Sequence, residues 1–118
     1  MTEVSAMLLL RTKANDAGQY WKILRKFYDR TTGLGMHIVR VPVGPNDFAV
    51  EGMFYDGTAQ NDFSLKTGKR LDASRMAITP FSRANVLPVL KDILTINPEI
   101  ILYLESWALP WWMMQGKY

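Results

Sequence analysis

At 118 residues, 48% hydrophobic and 21% charged, the chain has the size and balance of one globular domain with one core, which argues against an intrinsically disordered chain. Its net charge of +3 comes from 14 Lys and Arg interleaved with 11 acids, so no basic block forms and nothing points to a nucleic acid partner. Cysteine is absent and His37 is the single histidine, which excludes disulfides, thiolate metal sites and His-rich metal sites.

The first predicted element is a short amphipathic helix over residues 3–12, with Val4, Met7, Leu8 and Leu10 inward and an interruption from Asn15 to Gly18. The opening MTEVSAMLLLRTK has a glutamate where a signal peptide needs basic residues, and AMLLL is too short for a leader's apolar region or a membrane span. A second helix is expected from Gln19 to Arg30, where Tyr20, Ile23, Leu24, Phe27 and Tyr28 share one face. Asp16 and Gln19 have the spacing of a capping box. TTGLG ends this helix, and Gly33 or Gly35 can take the left-handed C-cap position.

MHIVRVPVG, residues 36–44, reads as a strand with Met36, Ile38 and Arg40 on one face and His37, Val39 and Val41 on the other. From 45 to 81 no period is sustained, which predicts a long functional loop in which Asp56 and Asp62 are solvated or form turns. A third helix is predicted from Asn85, its N-cap, to Ile96, with Val86, Leu87, Leu90, Ile93 and Leu94 inward. Pro88 is tolerated there because it lies in the first turn. Asn97-Pro98 stops this helix, and Ile100 to Trp107 forms a second strand bounded by Pro110. Strand, helix, strand predicts a βαβ unit with parallel strands and a right-handed crossover, hence the α/β class.

Ligands of such sheets bind beyond the C-terminal strand ends, here RVPVGPNDF and ESWALPWW. The first carries Arg40, Asn46, Asp47 and Phe48, and the second Glu105, Trp107, Trp111 and Trp112. Polar groups facing indoles suit a sugar, whose ring stacks on an aromatic face while its hydroxyls seek hydrogen-bonding partners. The tryptophans fit a packed core as well as a ligand wall, and Arg40 could instead form a structural bridge with Asp47. His37 reads as a packed or surface histidine. No phosphate-binding glycine loop, nucleophile elbow or metal-ligand spacing occurs, and no cofactor is implied.

GLGMHIVRVPVGPNDF resembles the hallmark of glycoside hydrolase family 30, the family of glucosylceramidases and fungal endo-β-1,6-glucanases, in which Gly-Leu-Gly leads into a strand ending Arg-Val-Pro-Ile-Gly-Ser-x-Asp-Phe. MTEVSAMLLL, FYDGTAQNDFSL and VLPVLKDILTINPEIILYLESWALPWWMM are similar to three further stretches, in the family's order. The resemblance implies a (β/α)8 TIM barrel of about 250 residues and retaining hydrolysis of β-glucosides, glucosylceramide or β-glucan, by two carboxylates about 5 Å apart. It also implies roles in carbohydrate or sphingolipid metabolism, a secreted or lysosomal location, and contact with a membrane surface through a lipid substrate.

By position, Arg40, Asp47 and Trp107 match residues lining the family's sugar subsite, Pro110 and Trp112 match the frame after them, and Phe48 is a further candidate. Two departures stand out: Glu105 and Ser106 replace the family's Ser-Pro, and Met114 replaces a lysine. Glu105 would add a carboxylate to the pocket wall. The family's acid/base glutamate lies in an Asn-Glu-Pro motif that this sequence lacks, and its nucleophile lies on a later strand, so no catalytic residue is assigned here. The expectation is a single incomplete barrel domain over residues 1–118, roughly the first three βα units, truncated at both ends, inactive alone and self-associating through its open sheet. Two other readings stay open: a non-catalytic carbohydrate- or partner-binding module, and membrane association through WALPWWMMQGK.

Overall fold

The computed structural model describes residues 1–50 and 77–108. Helix α1, Glu3–Asn15, is longer than the spacing predicts and begins with a capping box: the Ser5 amide donates to Thr2 Oγ1 at 3.2 Å, and the Thr2 amide to Ser5 Oγ at 3.1 Å. Its apolar residues are not confined to one stripe, and the inward set differs from expectation. Ala6 is fully buried while Leu8 is 52% exposed. A run of four apolar residues covers more than one face of a helix, so the contact that settles the orientation is the small residue.

Only Asp16 separates α1 from α2, Ala17–Tyr28, so the expected break at Asn15 to Gly18 shrinks to one residue. Asp16 is the N-cap as predicted, accepting from the Gln19 amide at 2.9 Å. Tyr20 and Leu24 are buried and Ile23 and Tyr28 partly so, but Phe27 is exposed. The following turn folds back on the end of α2, with the Leu34 amide donating to the Lys26 carbonyl at 2.9 Å and the Met36 amide to the Phe27 carbonyl at 3.0 Å. Gly35 is the left-handed residue of that turn, with φ 63°, whereas Gly33 packs against carbonyls of the helix.

Strand β1, Ile38–Val43, ends at Gly44, whose φ of 84° turns the chain. The expected loop from 45 to 81 closes earlier than predicted. Residues 51–76 of it, with Asp56 and Asp62, lie outside the described residues, and helix α3, Pro80–Ala84, takes its last two positions. Thr79 caps α3 through the Ser82 amide at 3.2 Å, and Pro80 occupies the first turn.

Helix α4, Val86–Ile96, follows after a single residue. Asn85 does not cap it through its side chain; it donates to the Phe81 carbonyl at 3.0 Å instead. Its backbone is already helical, so α3 runs into α4 and the side-chain oxygen has no open helix end to serve. Val86, Val89, Leu90 and Ile93 are buried, so Val89 takes the place expected for Leu94, which is 37% exposed. Asn97 ends α4 in an extended conformation, the one a residue before proline prefers. Its buried side chain donates to the Met36 carbonyl at 3.4 Å and accepts from the Glu99 amide at 3.1 Å, joining the helix end to the entrances of both strands.

Strand β2, Ile101–Ser106, pairs with β1 in parallel, with Ile38 opposite Ile101, Arg40 opposite Tyr103 and Pro42 opposite Glu105. Opposed residues share a face. Val39 and Val41 enter the core with Ala6, Tyr20, Leu24 and the α4 residues, so the helices cover one face of β1. They do not cover β2: Ile101, Leu102, Tyr103 and Leu104 are between 42% and 63% exposed, although the strand is a nearly continuous apolar run. The helices are pinned together by Asp92, whose Oδ2 accepts from Tyr20 Oη on α2 and from Lys13 Nζ on α1, each at 2.6 Å. Burial first, and then the hydrogen bond and charge of Asp92, push the Tyr20 phenol well above its usual range.

Candidate functional site

The strand parity read from the sequence holds. Ile38, Arg40 and Pro42 lie on the face away from the helices, with Ile101, Tyr103 and Glu105 beside them. Trp107, two residues beyond Glu105, reaches the same place. Arg40 Nε is 3.2 Å from Glu105 Oε2, and Arg40 Cζ lies 5.2 Å from the centre of the Trp107 ring. The C-terminal ends of two parallel strands thus bring together a guanidinium, a carboxylate and an indole, residues 40, 105 and 107. The bridge expected as an alternative, Arg40 to Asp47, is not formed. Glu105 is the pairing partner because the strand register places it two residues along from Tyr103, on the same face and diagonal to the arginine, within reach of its side chain.

The cluster is open. The Arg40 and Glu105 side chains are 50% and 35% exposed, so the ion pair is worth about 1 kcal/mol at most. The cation over the indole adds roughly 0.5–1 kcal/mol. Glu105 Oε2 is nevertheless buried, and it makes no hydrogen bond among the described residues. Its compensation is the arginine's charge. The guanidinium lies over one face of Trp107, which is 48% exposed.

Asp47 and Phe48 lie in the turn after β1, both exposed. Asn46 shapes this turn, its Oδ1 accepting from the Phe48 amide at 2.9 Å and its carbonyl from the Ala49 amide at 2.9 Å. Buried Pro45 anchors the turn's start. Asp47 has no ion-pair partner among the described residues. Pro110, Trp111, Trp112 and Met114 lie outside the described residues.

Glu3 is the positioning residue that the sequence does not reveal. Its Oε2 accepts from the Val50 amide at 2.6 Å and its Oε1 from the Ser82 hydroxyl at 2.8 Å, and the neighbouring Val4 amide donates to the Phe48 carbonyl at 3.2 Å. The start of α1 therefore holds both ends of the excursion between β1 and α4. An acid in the first turn of a helix is ordinary, and nothing local signals partners 47 and 79 residues away.

Two cavities can be set aside as sugar sites. One of about 10 Å³ between Met1, Glu3, Pro42, Asn46 and Ser82 has room for no more than a water. An apolar hollow of about 240 Å³ between Leu9, Ile23, Leu24, Phe27, Tyr28 and Met36 adjoins the N-terminal end of β1, away from the arginine cluster, and offers few polar groups for hydroxyls. Among the described residues no group of three acids or histidines could hold a metal ion, and no helix is long and apolar enough to cross a membrane.

The sequence matches the TIM-barrel domain of glycosyl hydrolase family 30 over residues 1–117. It is 27% identical over 95 residues to a putative glucosylceramidase 1 of Caenorhabditis elegans, an alignment covering 80% of this chain and 16% of that protein. The structure is similar to that of an endo-beta1,6-glucanase, with a TM-score of 0.73 and 24% sequence identity over 96% of this chain and 21% of the other. The second likeness establishes the fold: two parallel strands with their helices correspond to part of a TIM barrel, and the described residues form no closed barrel. This chain spans less than a quarter of either protein.

Proposed function

Since the chain belongs to glycosyl hydrolase family 30, we propose that it supplies part of the sugar-binding wall of a retaining β-glycosidase. Arg40, Asp47 and Trp107 hold the glycone, and Phe48 and Trp112 frame it. The observation that carries this reading is the contact of Arg40 with both Glu105 and Trp107 beyond the C-terminal ends of two parallel strands, on the face opposite the helices. In a TIM barrel that face lines the interior and that end carries the active site. The substrate is a β-glucoside, the class to which the names of a glucosylceramidase and an endo-beta1,6-glucanase both point. A lipid glucoside would bring the protein to a membrane surface, in a secreted or lysosomal setting.

Retaining hydrolysis needs two carboxylates about 5 Å apart, one as acid and one as nucleophile. Glu105 is committed to Arg40, and the sequence contains no Asn-Glu-Pro. Catalysis is therefore assigned to carboxylates outside these 118 residues, which by themselves form one incomplete barrel domain and hydrolyse nothing. Two measurements test this. The purified chain is expected to give no turnover of an aryl β-glucoside; turnover abolished by Glu105→Gln would make Glu105 a catalyst and overturn the assignment. Trp107→Ala and Arg40→Ala are each expected to weaken β-glucoside binding by about tenfold, the worth of one stacking or charged hydrogen-bonding contact; unchanged binding in both would remove the sugar site.

The uncovered Ile101, Leu102, Tyr103 and Leu104 support a second element of the proposal. An apolar strand exposed on both faces and at its edge is covered in a stable protein, here by further barrel or by another copy of the chain. The isolated chain is expected to sediment as an oligomer. A monomer with a sharp unfolding transition would favour a self-sufficient binding module instead.

A further inference from the structure

We propose that Glu105 sets a charge preference at the Arg40–Trp107 site, selecting neutral glycosides over uronic acids; this rests on the sugar-site reading and narrows it. An unpaired arginine at a strand end offers a fork of donors and a full positive charge, which is the recognition chemistry of a carboxylate. Here Glu105 Oε2 lies 3.2 Å from Arg40 Nε, so that charge is already countered within the wall, and Trp107 covers a face of the guanidinium.

The remaining chemistry of the pair favours hydroxyls. Glu105 Oε2 is buried without a hydrogen bond among the described residues, yet the side chain as a whole is 35% exposed, so a ligand can approach the carboxylate. A sugar hydroxyl both donates and accepts, and so can serve the carboxylate and the guanidinium together. A uronate carboxylate only accepts, and it would set a second negative charge against Glu105. Rejection by a like charge is a specificity device independent of how well the ring stacks on Trp107.

The test is a pair of NMR titrations of the full 118-residue chain, following the Trp107 indole signal, with methyl β-glucopyranoside and with the corresponding glucuronide. The parent is expected to bind the neutral sugar more tightly. Glu105→Gln, and Glu105→Ser should the first variant fail to fold, are expected to move the ratio of affinities toward the glucuronide by about fivefold, the worth of one partly exposed charge pair. That gain is expected to fade as salt is raised to about 0.5 M, which a purely structural role for Glu105 would not produce. If both sugars still bind and the ratio stays put, or shifts without salt dependence, Glu105 has no charge-selecting role and the sugar site stands. If no form binds either sugar, the site and its selectivity fall together.

Discussion

Replacing Gly33 with alanine adds a single methyl group to a turn with no room for it. A Cβ at that position falls 2.2 Å from the Arg25 carbonyl oxygen and 2.8 Å from those of Asp29 and Lys26. A relaxed contact between carbon and oxygen needs about 3.3 Å. All three neighbours are backbone atoms of α2 or its cap, so no side chain can swing aside, and the turn must lift by roughly 1 Å. Lifting it stretches the bonds from the Gly33 and Gly35 amides to the Asp29 carbonyl, each 3.1 Å, and from the Leu34 amide to the Lys26 carbonyl, 2.9 Å. Overpacking costs about 1–3 kcal/mol and each weakened hydrogen bond about 0.5–1.5 kcal/mol. The expected loss is about 3 kcal/mol or more, a large share of the 5–15 kcal/mol typical of a domain.

Two other glycines calibrate the measurement. At Gly18 a Cβ would meet only the Asp16 Oδ1 atom, at 3.2 Å, so Gly18→Ala is expected to stay within about 0.5 kcal/mol of the parent. Gly35→Ala has space but must hold φ at 63°, at a cost of about 1–2 kcal/mol. Urea unfolding followed by circular dichroism reads all three, as a shift in midpoint at unchanged slope. A Gly33→Ala loss below about 0.5 kcal/mol, or one no larger than that of Gly18→Ala, would refute the close packing of this turn on α2.

Asp92→Ala removes the acceptor shared by Tyr20 and Lys13 and is expected to cost about 2–3 kcal/mol in the same assay. In that variant the Tyr20 phenol should ionise at lower pH than in the parent yet still above 10, because burial is the larger cause of its shift, and an alkaline tyrosine titration checks this. The sign for stability follows: folded Tyr20 keeps its proton where the unfolded chain loses it, so the contribution is intact below pH 10 and is lost as pH rises beyond it. Asp29 behaves oppositely. The amides of Thr32 and Thr31 donate to its carboxylate at 2.9 and 2.8 Å and hold it below 3.8, so its contribution is present above that pH and is lost as pH falls through the lower folded value. An NMR acid titration should find Asp29 ionising below 3.8, and a value at or above 3.8 would show that this turn is not formed.

What was legible in the sequence is what is encoded locally. The caps at Asp16 and Asn97, a left-handed glycine at 33 or 35, of which the fold uses 35, the two strands and their parity all follow from spacing or from the chemistry of one or two residues. The misplaced residues share a physical cause. Leu8, Phe27 and Leu94 are large and apolar, and periodicity points them to the core, but each stays at its margin, 37% to 52% exposed among the described residues; Ala6 and Val89, smaller and less conspicuous, are fully buried in it. Thr79-Pro80 is a readable helix start, but the five-residue helix it opens is too short to show a period of its own after a long aperiodic stretch. The Glu3 and Asp92 clamps were beyond reach, because their partners are set by tertiary packing.

Arg40 and Glu105 show how the site depends on both levels at once. Strand parity alone places Arg40 on the outer face of β1 and puts Glu105 and Trp107 on a common face of β2, but it does not fix how far one strand is slid along the other. The register, Arg40 opposite Tyr103, sets that distance, and a shift of two residues that put Arg40 opposite Ile101 would preserve every face while separating the guanidinium from the carboxylate. The register is itself held at the strand entrances, where buried Asn97 reaches the Met36 carbonyl, its neighbour two positions on accepts from Arg30, and the Ile101 amide donates to the His37 carbonyl at 2.7 Å. The geometry of the candidate sugar wall is thus fixed from the opposite end of the sheet. An Asn97→Ala substitution, far from any ligand, should therefore loosen the Arg40–Glu105 pairing as well as the fold, and a Trp107 indole signal that is unmoved in a folded Asn97→Ala chain would count against that coupling.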